Sequence, residues 1–565
     1  MHYKNKLILL LLLALFLLQA VSSMRLKSPT WDETSYFGLG YYLCRNQTWD
    51  VPAATLHPPL SYYLNSIPYL FYDAADGAWD LPPELKGEGA SNLSYPLAGL
   101  RLLTDKRYPQ DQVLFWSRIP TVLIALLLGF FLWKWARELS GSLSAALVLL
   151  LFSFSPNILA HARLITPDLI LTCFTFIAVY YLWKVVKEVT WSSILLCSLA
   201  LGCALLSKYS ALLLLPIYLI LLVFVFFSQE KVSLPEKFPC SGILMKAGRG
   251  AKTLRLATLM LIISFLALCV LYLGYLFHPE YYLKGVVHQL AHAERGHPTF
   301  LMGMYSTEGW WYYYPIAFLL KTPLPLLILL VLSLLCYKKH PRSLDHAFLL
   351  VPVVVFFLFF SIKLLCVGLR YVLPVYPFVF VLAGMTVSYR LKKPMNVVMN
   401  VVVAALCGWF IITSLAIYPH YLAYFNEAAG GPDKGYNYLV DSNLDWGQDL
   451  KGLGEYMKKK GIEKVHLSYF GAADPRYYNI DYEWMPSYYL PDDYGGDQPG
   501  DRVFRFPRSG IVAISATNLQ NVYFSDKTFY DWLKEYTPID KIGYSLFIYD
   551  LDRSMGSDHP SHRSQ

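Results

Sequence analysis

Residues 28–43 read SPTWDETSYFGLGYYL, and directly before them residues 6–23 read KLILLLLLALFLLQAVSS. An apolar run of about 20 residues is long enough to cross a hydrocarbon core of about 30 Å. Asp32 and Glu33 therefore stand where a helix leaves the membrane. Ionised side chains are costly at that level and tend to face a water-filled cavity or a ligand, which makes this acidic pair the first candidate for chemistry.

The rest of the chain repeats the apolar signal. It has 565 residues, 55% hydrophobic and 16% charged, with a mean hydropathy of +0.38, too apolar for a soluble protein of this length. Membrane spans are expected near 6–23, 113–133, 143–160, 167–184, 191–207, 210–227, 256–277, 313–336, 347–363, 371–389 and 396–417, about eleven in all. The first reads as an uncleaved anchor, because its apolar core is long and Ser22-Ser23-Met24 is a poor cleavage site; a signal peptide is the alternative. The net charge of +8 sits mostly in short loops between spans, where Lys and Arg set orientation, so no nucleic-acid partner is expected. Most of the nine cysteines lie in apolar spans and none follows residue 418, so no disulfide framework is implied.

If the first span runs outward, the basic loops (Lys134, Arg137, Lys184, Lys187, Lys338, Lys339, Arg390) share one side. Residues 24–111, the turn at 161–168, segment 278–312, the turn at 363–370 and everything after 418 then share the other. In the first outer loop, HPPLSYYL (57–64) reads as a short interfacial helix. Residues 418–565 read as a separate polar unit, with helices at 449–461 and 526–536 and strands at 465–470 and 510–516. The expected fold is a polytopic α-helical membrane protein, residues 1–417, carrying a C-terminal extracytoplasmic α/β domain, residues 418–565.

The candidate groups all belong to the outer side. A carboxylate at the mouth of a membrane cavity suits a general base, which Asp32 fits. Equally, Asp32 and Glu33 suit the first turn of a helix capped by Thr30. Asp168, in ARLITPDLILT, begins a span behind Pro167 and is either a helix-terminal charge or a second functional carboxylate. Lys208, Lys321, Lys363, Arg370 and His57 lie at the same level. Fixed cations there stabilise the charge that grows on a departing phosphate, although Lys at helix ends also snorkels to headgroups. His288 and His292 share a helix face near His278 and His297, which permits a divalent metal, but HQLAHAE lacks the HExxH pattern. Trp310 to Tyr314 read as an interfacial aromatic belt.

Taken together and in order, the acidic pair, HPPLSYYL, SPNILAHARLITPDLIL (155–171), GWWYYYPIAFLLKTP (309–323) and GLRYVLPVYP (368–377) resemble the polyprenyl-phosphate-sugar-dependent membrane glycosyltransferases. These include the dolichyl-phosphate-mannose protein mannosyltransferases and the aminoarabinose transferases of lipid A. The resemblance covers roughly residues 5–417. It implies a GT-C fold and a catalytic acidic residue at Asp32, with Glu33 beside it and Asp168 as the second carboxylate. It also implies lipid-phosphate contacts from Arg370, Lys208, Lys321 and, by position, His57. The partners it implies are a polyprenyl-phosphate-linked sugar donor, a lipid, glycan or protein acceptor, and membrane lipids.

Segment 278–312 is too short for the β-trefoil insertion of eukaryotic protein mannosyltransferases, and the C-terminal unit is closer to a bacterial subgroup. A bacterial inner membrane is therefore expected, with the sequons NQT (46–48) and NLS (92–94) as chance. The acidic stretch DSNLDWGQDL (441–450) reads as exposed and available to an acceptor. No nucleotide-binding Walker A string is present. A lipid-linked glycan transporter remains the alternative class, but no duplicated halves are visible.

Overall fold

The computed structural model describes residues 2–47, 49, 55–73, 99, 103, 110–229, 232, 249–337, 343–363, 365–389, 393–487 and 505–553. Among these described residues, eight helices are long and apolar enough to cross a membrane, and ten if each of two bent pairs counts as one span. The bent pairs are Ser142–Ser153 with Pro156–Ala162, turning by 61°, and Tyr313–Lys321 with Leu324–Cys336, turning by 110°. Proline explains both breaks. Pro156 and Pro323 lack the N–H a continuing helix would use, and each disfavours helical geometry in the residue before it. The eleventh expected span, 191–207, is an apolar helix of only 15 residues, Trp191–Leu205.

The two bends are tied to one another. Asn157 Nδ2 donates to the Lys321 carbonyl (2.7 Å) and to the Tyr376 hydroxyl (2.9 Å), which also bonds Thr322 Oγ1 at 2.8 Å. Broken helices thus meet on one side of the bundle, where polar backbone is tolerated because protein rather than lipid surrounds it.

Helix Trp31–Asn46 packs along helix Leu60–Asp73 in the segment that follows the first span. Gly40 allows the close approach, since a Cβ there would lie 3.0 Å from Tyr62 Cα. The HPPLSYYL helix is therefore longer than its apolar pattern suggests, beginning at Leu60 after Pro58 and Pro59.

Beyond residue 418 lies a five-stranded mixed sheet. Its strands are β3 (Lys464–Ser468), β4 (Asp481–Trp484), β5 (Ile511–Ser515), β6 (Asp540–Ile542) and β7 (Leu546–Asp550), while β1 (Thr299–Leu301) and β2 (Met304–Ser306) form a separate hairpin. The order is β4-β3-β5-β7-β6, with β3 parallel to both neighbours and β7 antiparallel to both of its own. Helix Leu450–Lys460 covers it, presenting Leu450, Leu453 and Met457 to Val465, Leu467 and Ile548. That i, i+3, i+7 stripe is the helical period read from the sequence. Gly461, at φ +67°, then closes the helix in the left-handed region.

The expected helix at 526–536 is reduced to one turn, Asp531–Lys534. Side chains intercept the backbone donors it would need: Asp526 accepts from Thr528 N (2.8 Å) and Asn521 Oδ1 from Tyr530 N (2.9 Å).

Candidate active site

Successive residues of a helix point about 100° apart, and this separates Asp32 from Glu33. Glu33 is fully buried. Its carboxylate accepts from Arg118 Nε (2.8 Å) and Nη2 (2.6 Å), from Thr30 N and Oγ1 (2.9 and 3.1 Å), and from Ile165 N (2.9 Å). A bidentate arginine and three further donors leave it no capacity for an acceptor hydroxyl. The expectation that Glu33 belongs among the catalytic carboxylates is corrected: it caps its helix and locks the 163–166 turn to the start of helix Trp31–Asn46.

Asp32, with a side chain 23% exposed, instead meets Arg370 Nη1 at 2.5 Å. Arg370 enters from the tight turn Leu369–Val375, where the chain re-enters the bundle. Asp168, second residue of helix Pro167–Lys187, accepts from Lys208 Nζ at 2.7 Å through Oδ1, while its buried Oδ2 has no hydrogen-bond partner among the described residues. One ring lies against both cations: Tyr371 is 3.9 Å from Lys208 Nζ and 5.8 Å from the Arg370 guanidinium. Two carboxylates and two cations from four separated segments are thus joined through Tyr371.

His57 stacks on Tyr36 with ring centroids 5.3 Å apart. Burial, reinforced by the charge of Lys208, holds its imidazole well below the ordinary range, so the ring is neutral. His57, Lys208 and Tyr371 also line a cavity of about 400 Å³ whose other walls are mostly apolar, including Leu213, Leu290, Phe360 and Leu365, with Ser210 and Gln289 as polar exceptions. Chemistry-bearing groups therefore meet a lipophilic slot.

Lys321 is placed elsewhere. Its ammonium is buried, donating to the carbonyls of Leu422 (2.7 Å) and Asn443, and it lies over the Phe425 ring at 4.5 Å. It fastens the chain leaving the last span, which corrects its assignment to the lipid phosphate. The side chain of Lys363 lies outside the described residues.

The stretch 441–450 is also corrected. It is buried rather than exposed, with Asp445, Trp446, Gln448 and Asp449 almost wholly covered, because its polar atoms pair within the protein. Asp445 accepts from Thr517 N at 2.9 Å, and burial pushes its carboxyl up to about 8. Asp449 pairs with Lys27, which holds its carboxyl below the usual range despite burial. The histidines do not gather into a metal site. His288 Nδ1 lies 3.4 Å from Thr55 Oγ1, the His292 and His297 rings are 6.5 Å apart, and no group of three or more His, Cys, Asp or Glu among the described residues is placed to hold an ion.

The helix that carries Arg118 opens a stretch with a recognisable sequence family. Residues 111–246 match the dolichyl-phosphate-mannose-protein mannosyltransferase family. The matched stretch includes Arg118, Asp168 and Lys208. No curated protein matches the chain in sequence. Among solved structures it is similar to ArnT from Cupriavidus metallidurans bound to undecaprenyl phosphate, at 12% identity over 97% of this chain and 99% of that one, with a TM-score of 0.49. It is also similar to the oligosaccharyltransferase AglB from Archaeoglobus fulgidus in complex with an inhibitory peptide and a dolichol-phosphate. There the identity is 13% over 79% of this chain and 58% of that one, with a TM-score of 0.39.

Sequence reasoning passed over Arg118, Tyr371 and Trp446. Arg118 had a signal: an arginine within the apolar stretch LFWSRIPTVL demands a buried partner. Trp446, whose ring lies 4.3 Å from the Arg370 guanidinium, had none, since its partner is 76 positions away.

Proposed function

We propose that this protein is a GT-C glycosyltransferase that moves one hexose or pentose from a polyprenyl-phosphate donor to a lipid, glycan or protein acceptor on the outer face of its membrane. The observation that carries this reading is the joined pair of ion pairs, Asp32–Arg370 and Asp168–Lys208, linked through Tyr371, with Lys208 and Tyr371 in the wall of a mostly apolar cavity of about 400 Å³. A polyprenyl chain suits the apolar walls, and its phosphate suits Lys208 and Arg370.

The donor phosphate competes with Asp32 for Arg370, leaving the Asp32 carboxylate free to take a proton. As the acceptor oxygen or nitrogen attacks the anomeric carbon, Asp32 removes its proton and the bond from that carbon to the phosphate oxygen breaks. The bonding electrons remain on the phosphate, where Arg370 and Lys208 meet the added charge. A single in-line displacement of this kind inverts the anomeric centre. Asp168 holds Lys208 in place, and neutral His57 lines the slot beside it. The energy resides in the donor, so the scheme uses no nucleotide.

By the same reading, the membrane is a bacterial inner membrane with residues 418–565 in the periplasm. The test is transfer by purified protein in detergent from a panel of labelled polyprenyl-phosphate sugars, beside Asp32→Asn. Release of polyprenyl phosphate that depends on Asp32 is expected. If no donor is consumed, the enzyme reading falls and movement of lipid-linked glycan across vesicles becomes the assay of choice.

A further inference from the structure

The segment 441–450 touches both chains that supply the Asp32–Arg370 pair. On the Asp32 side, the Trp446 carbonyl accepts from Trp31 N (2.9 Å) and the Gln448 carbonyl from Ser28 N (3.1 Å), while Ser28 Oγ donates to the Gly447 carbonyl at 3.0 Å. On the Arg370 side, Asn443 Oδ1 accepts from Leu369 N (2.9 Å) and Ser442 Oγ donates to the Val367 carbonyl (2.8 Å). Gly368 makes that seat possible: its φ of +97° favours glycine, and a Cβ would run into Ser442 Oγ. Between the two anchorages, the Trp446 ring lies 4.3 Å from the Arg370 guanidinium.

We propose that 441–450 is a strap by which the C-terminal unit sets the geometry of the Asp32–Arg370 pair, with Trp446 as the positioning residue for Arg370. An arginine on a flexible stem has many rotamers. A buried indole face restricts the guanidinium to one plane through a cation–π contact, strongest when water is excluded, and Trp446 is 1% exposed. The fork then points at Asp32 before donor arrives and at the phosphate once it has. On this account the C-terminal unit completes the site rather than decorating it. The inference deepens the transferase reading and rests on it only for its kinetic consequence.

The experiment compares full-length wild type, Trp446→Phe and Trp446→Leu, each in detergent. Two readouts are used: labelling of Arg370 by phenylglyoxal, followed by peptide mass spectrometry, and the kinetics of polyprenyl-phosphate-sugar consumption. Trp446→Leu is expected to raise Arg370 labelling severalfold and to lower kcat about tenfold, with KM for the donor within about twofold because Lys208 still meets the phosphate. Trp446→Phe retains a ring and is expected to restore most of both. Thermal midpoints of the two variants are measured alongside. Unchanged Arg370 labelling in Trp446→Leu overturns the proposal, as does a Phe variant as impaired as the Leu variant at equal thermal midpoint. Should wild type consume no donor, the transferase reading fails, and the labelling arm still decides whether Trp446 positions Arg370.

Discussion

Asp32 and Glu33 are neighbours in sequence with opposite fates. Glu33 faces inward, fully buried, with both oxygens occupied by Arg118, Thr30 and Ile165. Asp32 is partly exposed and pairs with Arg370. A similar contrast divides the cations: Lys321 is sealed under backbone carbonyls, while Lys208 lines the apolar slot. A charge that every neighbour satisfies holds the fold. One left with spare valence at a cavity wall is available to a ligand.

The comparison can be broken at several points. The largest effect on the fold is expected from Glu33→Gln, which strands the buried Arg118 guanidinium. Breaking a buried pair in this way costs about 3–5 kcal/mol, read as a lowered thermal midpoint in detergent with activity lost in proportion to folded protein. Lys208→Met also breaks a buried pair and lowers the midpoint by stranding Asp168. It is expected in addition to reduce kcat/KM for donor about 10²–10³-fold per folded molecule, a parameter that Glu33→Gln leaves unchanged. If the two variants behave alike, the division between sealed and available charges fails.

Lys321→Met sharpens it further. Removing the ammonium leaves the Leu422 and Asn443 carbonyls buried without that donor, a loss of about 1–3 kcal/mol, while KM for donor is expected to stay unchanged. A raised KM with intact stability would return Lys321 to the phosphate site.

An effect confined to pH dependence concerns Asp445, whose folded carboxyl is pushed up to about 8 by burial. The folded state then holds a proton that the unfolded chain releases near pH 4. Its contribution to stability is full at low pH and declines as pH rises from about 4 through about 8. Asp445→Asn removes that decline, so the variant is expected to gain on wild type between pH 5 and pH 9 in thermal midpoint. A parallel pair of pH profiles would show that Asp445 does not carry the linkage.

Much of this was legible in sequence where the pattern is local. The spans, the helix at 449–461 and the strands at 465–470 and 510–516 follow from periodicity and length. Asp32, Asp168, Lys208, Arg370 and His57 stood out in sequence because costly charges at span ends need a reason, and the fold brings them near one another. What misled was polarity read as exposure. DSNLDWGQDL looks like a surface loop, yet its side chains and carbonyls pair with Ser28, Trp31, Leu369 and Thr517, contacts between segments up to hundreds of residues apart. No single-sequence pattern encodes those pairings. Glu33 failed for a related reason: type and position match Asp32, and only the rotation of one residue along the helix sends it to Arg118.

The most direct test of the account places Asp32→Asn and Glu33→Gln side by side, measuring polyprenyl phosphate released per folded molecule together with thermal midpoint. The account predicts that Asp32→Asn keeps the wild-type midpoint and loses about 10²–10⁴-fold in transfer, while Glu33→Gln loses stability and retains turnover in its folded fraction. An Asp32→Asn protein that turns over at the wild-type rate, or one whose lost activity only tracks lost fold, would contradict it.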